Sequence, residues 1–147
     1  MTPDVNVLVA AFRRDHTHHG VAITWLKQAR KSCAAGRAAF TLLPMVVVGF
    51  LRLVTNPRVF INPDAIEDAV TFVDALLSSP GVELRASSTE WPLLREKLLT
   101  AGLQGNYVTD AWIAAVTEDV SEHLVTFDSD FKHLLPARDL TVLENSR

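Results

Sequence analysis

The sequence predicts an α/β domain, with a parallel sheet covered by helices on both faces. Two observations lead there. Short apolar runs of strand length alternate with longer segments whose apolar residues recur at helical spacing. Turn-forming residues such as Thr55-Asn56-Pro57, Ser79-Pro80-Gly81 and Gly102 stand between those segments. Strands that alternate with helices are joined by crossovers, which makes neighbouring strands parallel.

The elements follow in order. Met1-Thr2-Pro3 is expected as a very short first strand running into Asp4, and residues 5–13 as the start of a helix. Residues 18–30 place Ala22, Trp25, Leu26 and Ala29 on one face of a second helix. Residues 38–42 suit a buried strand. Pro44 then opens a helix, because its missing N–H costs nothing at the first helical position. That helix, residues 45–54, whose three successive valines would also suit a strand, stops at Thr55-Asn56-Pro57, since proline disfavours helix in the residue before it. Asn62-Pro63-Asp64 opens the next helix, with Ile66, Val70, Phe72, Val73, Leu76 and Leu77 expected on its buried side. Residues 82–86 form a strand. Ser88 or Thr89 is expected to cap a helix to Leu99, with Glu90 in its first turn where the helix dipole favours an acid. Thr109 is expected to cap a helix over residues 110–118. A strand over 123–127, a short helix over 129–135 and a last strand over 140–143 complete the chain.

Composition bounds the function. The chain has 147 residues, nearly half of them apolar, which fits one ordered domain needing no disulfide or structural metal. The lone Cys33 cannot form an internal disulfide and fits a reducing compartment. Asp4, Asn6, Arg13 and Arg14 interrupt any secretory signal, and the longest apolar stretch, residues 42–51, is too short to span a bilayer. A cytoplasmic protein is expected. The net charge of −3 does not advertise a nucleic-acid binder, although a local basic patch remains compatible with it.

Acids stand out by position. Asp4 follows the first strand, Asp110 begins a helix, and Asp128 follows the strand 123–127, with Asp130 two residues on. In open α/β sheets ligands bind beyond the carboxyl ends of the strands, so these carboxylates are placed to converge. Clustered carboxylates take up a proton unless a cation neutralises them, and hard oxygen donors suit Mg²⁺ or Mn²⁺ rather than Zn²⁺. Each Asp alone is also an ordinary turn former or helix cap. An aspartyl phosphotransferase is disfavoured, because no phosphate-cradling glycine loop is present.

The stretches Pro3-Asp4-Val5-Asn6-Val7-Leu8, Thr109-Asp110-Ala111-Trp112-Ile113-Ala114-Ala115 and Leu124-Val125-Thr126-Phe127-Asp128-Ser129-Asp130-Phe131 resemble three acidic motifs of the PIN-domain family, in that family's order and spacing. Gly49-Phe50-Leu51-Arg52, followed by Thr55-Asn56-Pro57-Arg58, resembles a VapC-type subgroup. The resemblance covers essentially the whole chain, residues 1–147, as one nuclease-type domain. It implies a three-layer fold with about five parallel strands flanked by helices. It implies Mg²⁺- or Mn²⁺-dependent endoribonuclease activity, a homodimer and inhibition by a cognate VapB-type antitoxin. By motif match Asp4, Asp110 and Asp128 would be catalytic metal ligands, Asp130 a ligand or an acid just behind them, and Asn6 a polar support. One departure stands out. Many family members carry a Glu on the helix after the second strand, whereas no acid occurs over residues 45–54 here; Gly49 is the matching position, with Val47 as the alternative alignment. That departure keeps open a second reading, a catalytically weak PIN-like module that binds RNA or protein.

Arg13, Arg14, Arg52, Arg58, Lys132 and His133 are candidates for phosphate contacts, since their segments lie near the acidic motifs. Trp25, Trp91 and Trp112 are expected in core or dimer packing rather than in base stacking. His16, His18 and His19 lack the spacing of a zinc site and read as a polar loop running into a helix.

Overall fold

The computed structural model describes residues 1–144, so the last three residues of the expected domain lie outside it. Strand β1 (Thr2–Pro3) runs parallel to β4 (Leu124–Thr126), with Thr2 opposite Leu124, and β4 runs parallel to β5 (Leu140–Val142). Strand β2 (Phe40–Leu42) pairs in parallel with β3 (Val82–Leu84). The two groups meet where the Thr41 N–H donates to the Met1 carbonyl at 2.9 Å. The next rung on that side would need the N–H of residue 3, which is proline, so the ladder thins there. The strand order is β3-β2-β1-β4-β5, and the expected five parallel strands are hydrogen-bonded as a three-stranded and a two-stranded group.

Among the described residues six α-helices flank the sheet: α1 (Val5–Phe12), α2 (His19–Ala34), α3 (Pro44–Val54), α4 (Ile66–Leu77), α5 (Trp91–Ala101) and α6 (Tyr107–Asp119). Short 3₁₀ turns cover Ser129–His133 and Ala137–Asp139. Helix α1 is apolar along most of its length and buries Val7, Leu8, Val9, Ala10 and Ala11, packing against both α2 and α3. Complete burial of a side chain such as Leu8 contributes about 1.5–3 kcal/mol. Phe12, Phe50 and Phe72 meet with ring centroids 5.2 to 5.4 Å apart and tie α1, α3 and α4 together. Alanines 111, 114 and 115 let α6 bury one side closely.

Several local expectations are corrected. Neither Ser88 nor Thr89 caps α5. The hydroxyls of Ser87 and Thr89 instead donate to the Asp119 carboxylate, and Glu90 precedes the helix rather than sitting in its first turn. Helix α6 begins at Tyr107, so Thr109 lies within its first turn and does not cap it. Gly105, at φ +62°, turns the chain early enough for the helix to start there. On α4 the buried stripe is Ala69, Val73 and Leu76; Ile66 and Val70, expected inside, are 47% and 40% exposed. Asp64 does not begin α4 but pairs with Arg13. Of the three tryptophans, Trp25 packs inside against Phe40, whereas Trp91 and Trp112 are 63% and 39% exposed, which removes core packing for those two.

Candidate active site

The strand order reverses between β1 and β4, and such a switch point is where open parallel sheets hold ligands. A cavity of about 880 Å³ lies there, and Asp4, Asp110 and Asp128 all line it. Each comes from a different element, and each has a local reason for its place.

Asp4 leaves β1 in an extended conformation and caps α1, its Oδ1 accepting the Val5 N–H at 2.6 Å. Its Oδ2 accepts the Thr126 hydroxyl at 2.7 Å. Burial raises its pKa above the ordinary carboxylate range; the bonds from Thr126 and Val5 pull the other way, and the charge of Asp128 adds to the rise. Asp128 follows β4 and caps the 3₁₀ turn, accepting the Asp130 N–H at 2.8 Å. Asp110 sits in the first turn of α6. Burial first, and then the charges of Asp4, Asp128 and Asp130, push its pKa up to about 6. Asp130 is exposed and reaches the group through its charge on Asp110.

Asn6, the expected polar support, bonds to the end of β4. Its Oδ1 accepts the Phe127 N–H at 3.1 Å, and its Nδ2 donates to the Thr126 hydroxyl at 3.1 Å. Thr126 was not singled out by sequence. Its fully buried hydroxyl also accepts the Asp128 N–H at 3.0 Å, so it touches Asp4, Asn6 and the Asp128 backbone at once. A threonine two residues before an acid, at the end of a buried strand, was the available signal.

The donor set fits a divalent cation. All its side-chain oxygens are hard, and two of its carboxylates are held above their ordinary pKa by burial and mutual repulsion, which a bound cation relieves. Among the described residues, no three His, Cys, Asp or Glu side chains are drawn tightly enough together to enclose an ion. The acids converge on one cavity and feel one another's charge without closing on a point.

Of the basic candidates, Arg52 is exposed and lines the cavity, while Arg14, Arg58, Lys132 and His133 are exposed outside its lining. Arg13 is corrected to a structural strut. It is 8% exposed, pairs with Asp15 and Asp64 at 2.8 and 2.7 Å, and lies 3.9 Å over the Phe60 ring. On α3, Gly49 lines the cavity and Val47 does not. A Cβ at Gly49 would stand 2.9 Å from Val5 Cγ2, so the glycine lets α3 approach α1. Glu90 and Trp112 also line the cavity, joined by an indole N–H bond of 3.1 Å to the carboxylate.

Fold and site together define an α/β domain with a carboxylate-lined cavity at the switch point of a parallel sheet. The chain belongs to the PIN domain family, whose model matches residues 1–134. It is 32% identical over 138 residues to Ribonuclease VapC25 of Mycobacterium tuberculosis, covering 93% of this chain and 94% of that protein. It is 34% identical over 129 residues to VapC ribonuclease Mb2897 of Mycobacterium bovis, covering 87% and 85%. Ribonuclease VapC37 of Mycobacterium tuberculosis is 32% identical over 129 residues, with 87% of each chain covered.

Proposed function

We propose that this protein is a Mg²⁺- or Mn²⁺-dependent endoribonuclease, the toxin of a VapC-type toxin–antitoxin pair. The observation that carries the reading is the meeting of Asp4, Asp110 and Asp128 in one cavity at the sheet's switch point. The names of the similar proteins, ribonucleases all, support the choice of RNA. A VapB-type antitoxin and a second copy of the chain are the partners that the same reading brings. Action in the cytoplasm belongs to the same reading; no helix among the described residues is long and apolar enough to cross a membrane.

Asp4, Asp110 and Asp128 would hold the ion, with Asp130 beside them. When bound, it would polarise the phosphodiester and lower the pKa of a water towards neutrality. The chain's own residues do the rest. Thr126 and the Val5 N–H fix the Asp4 carboxylate, and Asn6 ties β4 to α1 so that Asp128 keeps its position. Arg52 offers a cation to the RNA backbone at the cavity wall, and Arg14, Arg58 and Lys132 extend that attraction outside it.

Cleavage of a labelled RNA by purified protein tests the proposal. Cutting is expected with Mg²⁺ or Mn²⁺, is expected to stop with EDTA, and should be nearly lost in Asp4→Asn and Asp128→Asn variants that still fold. RNA binding without cleavage by the parent protein would instead favour the non-catalytic binding module. Cleavage left intact by either substitution would place the chemistry elsewhere.

A further inference from the structure

The loop between α1 and α2 carries a histidine that the acids leave unexplained. His16 lines the same cavity as Asp4, Asp110 and Asp128. Its Nδ1 accepts the backbone N–H of His18 at 3.1 Å. An imidazole that accepts at Nδ1 bears its proton on Nε2, and protonating Nδ1 would set two N–H groups against each other. In this arrangement the neutral ring presents a single donor, Nε2–H. Burial first, and then the charge of His18, lower its pKa, while the charge of Asp15 pulls the other way.

The loop is also pinned at several points. The His16 N–H donates to the Arg13 carbonyl at 3.1 Å, and the Arg13 guanidinium is itself clamped by Asp15, Asp64 and the Asn62 carbonyl. The His19 N–H donates to the His16 carbonyl at 2.9 Å, and the His19 Nδ1 bonds the Ala10 carbonyl of α1 at 2.8 Å. The His18 ring stacks on Phe127, the residue before Asp128, with centroids 4.6 Å apart. This much fixing of an otherwise polar loop places one imidazole on the cavity wall in one tautomer. A neutral N–H donor suits a phosphodiester there, because it adds a hydrogen bond without a charge that would compete with a cation for the acids.

We propose that His16 is a substrate-contacting residue, its Nε2–H donating a hydrogen bond to a phosphate oxygen of the bound RNA. The proposal rests on reading the cavity as an RNA-cleaving site, and it involves no proton transfer. One hydrogen bond to a charged phosphate corresponds to a change of roughly 10- to 100-fold in kcat/KM. His16→Ala should lose that factor while melting within about 2 °C of the parent, the size of a small surface effect. His16→Gln, which returns an N–H donor near the Nε2 position, should recover much of it.

Ring ¹⁵N spectra of the Asp128→Asn protein give a readout independent of cleavage. The resting ring should show a protonated Nε2 and a bare Nδ1, and adding a short RNA oligonucleotide should shift the Nε2–H. Unchanged kinetics in His16→Ala beside a parent that cleaves RNA would overturn the contact and leave the nuclease reading standing. If the parent cleaves no RNA, the nuclease reading fails, and the ring spectra alone decide on His16. A proton on Nδ1, or an Nε2–H that does not move with RNA, overturns the proposal in either case.

Discussion

Asp110 should destabilise the metal-free fold, and removing its charge should stabilise it. Its pKa rises from the ordinary 3.8 to about 6, through burial first and then the charges of Asp4, Asp128 and Asp130. A raised pKa means that the folded state holds the proton more tightly than the unfolded state. The stability it carries is full below about pH 4, drains as pH rises, and is gone above about pH 6. About two pKa units correspond to about 3 kcal/mol, and solvent at this half-buried group reduces that to roughly 1–3 kcal/mol. Opposing it, an acid in the first turn of α6 gains about 0.3–1 kcal/mol from the helix dipole. The repulsion and burial are larger, so Asp110→Asn should be the more stable protein in EDTA near neutral pH. The gain should be about 1–2 kcal/mol, or several degrees in melting temperature for a chain of this size. The gap should close on acidification to about pH 4. Saturating Mg²⁺ should reverse the order, because the parent binds the ion more tightly and binding stabilises by mass action. Thermal melts of both proteins across pH, with and without Mg²⁺, measure all of this. An Asp110→Asn variant less stable than the parent in EDTA at every pH would refute the account of the acids as mutually repelling.

Two further substitutions test the packing beneath the site. Gly49→Glu alone should lower stability by about 1–3 kcal/mol, since its Cβ would stand 2.9 Å from Val5 Cγ2, and better helix propensity returns only about 1 kcal/mol. Combined with Val5→Ala it should fold and bind Mn²⁺ more tightly by calorimetry; a folded double variant with unchanged affinity would show that position 49 is no ligand site. Thr2→Val should raise stability by about 1 kcal/mol in denaturant melts, because the buried Thr2 hydroxyl has no hydrogen-bond partner among the described residues.

The acids were legible because their placement follows from chain direction. Asp4 and Asp128 end strands that run parallel and side by side, so both reach the same edge of the sheet. The order of the helices and strands was legible for a similar reason, since periodicity and turn residues are local properties. Side-chain pairings between distant segments were not. Arg13 read as a phosphate contact because nothing near it in sequence announced Asp64, fifty-one residues away. Ser88 and Thr89 read as caps by residue type, yet the loop's hydroxyls meet an acid at the far end of α6. Thr126 was hidden differently. A buried threonine in a strand is ordinary, and only the fold shows that its hydroxyl joins Asp4, Asn6 and the Asp128 backbone.

The glycine on α3 also explains how this site keeps its remaining acids in place. Val5, the residue that Gly49 accommodates, supplies the N–H that fixes Asp4 Oδ1 at 2.6 Å. Any side chain at position 49 presses on Val5 and so on the cap that orients Asp4. An acid there would add a ligand charge while disturbing the carboxylate already most firmly held. It would also add repulsion to a cavity in which Asp4 and Asp110 are both above their ordinary pKa. With glycine, α1 and α3 close together, Asp4 stays bonded to both Val5 and Thr126, and Arg52, three residues along α3, faces the same cavity with positive charge. In the protein as it stands, α3 therefore brings close packing and a cation to the site rather than a fourth carboxylate. On the proposed reading its charge would suit the RNA backbone, while the holding of an ion would fall to the acids of the strand ends and α6.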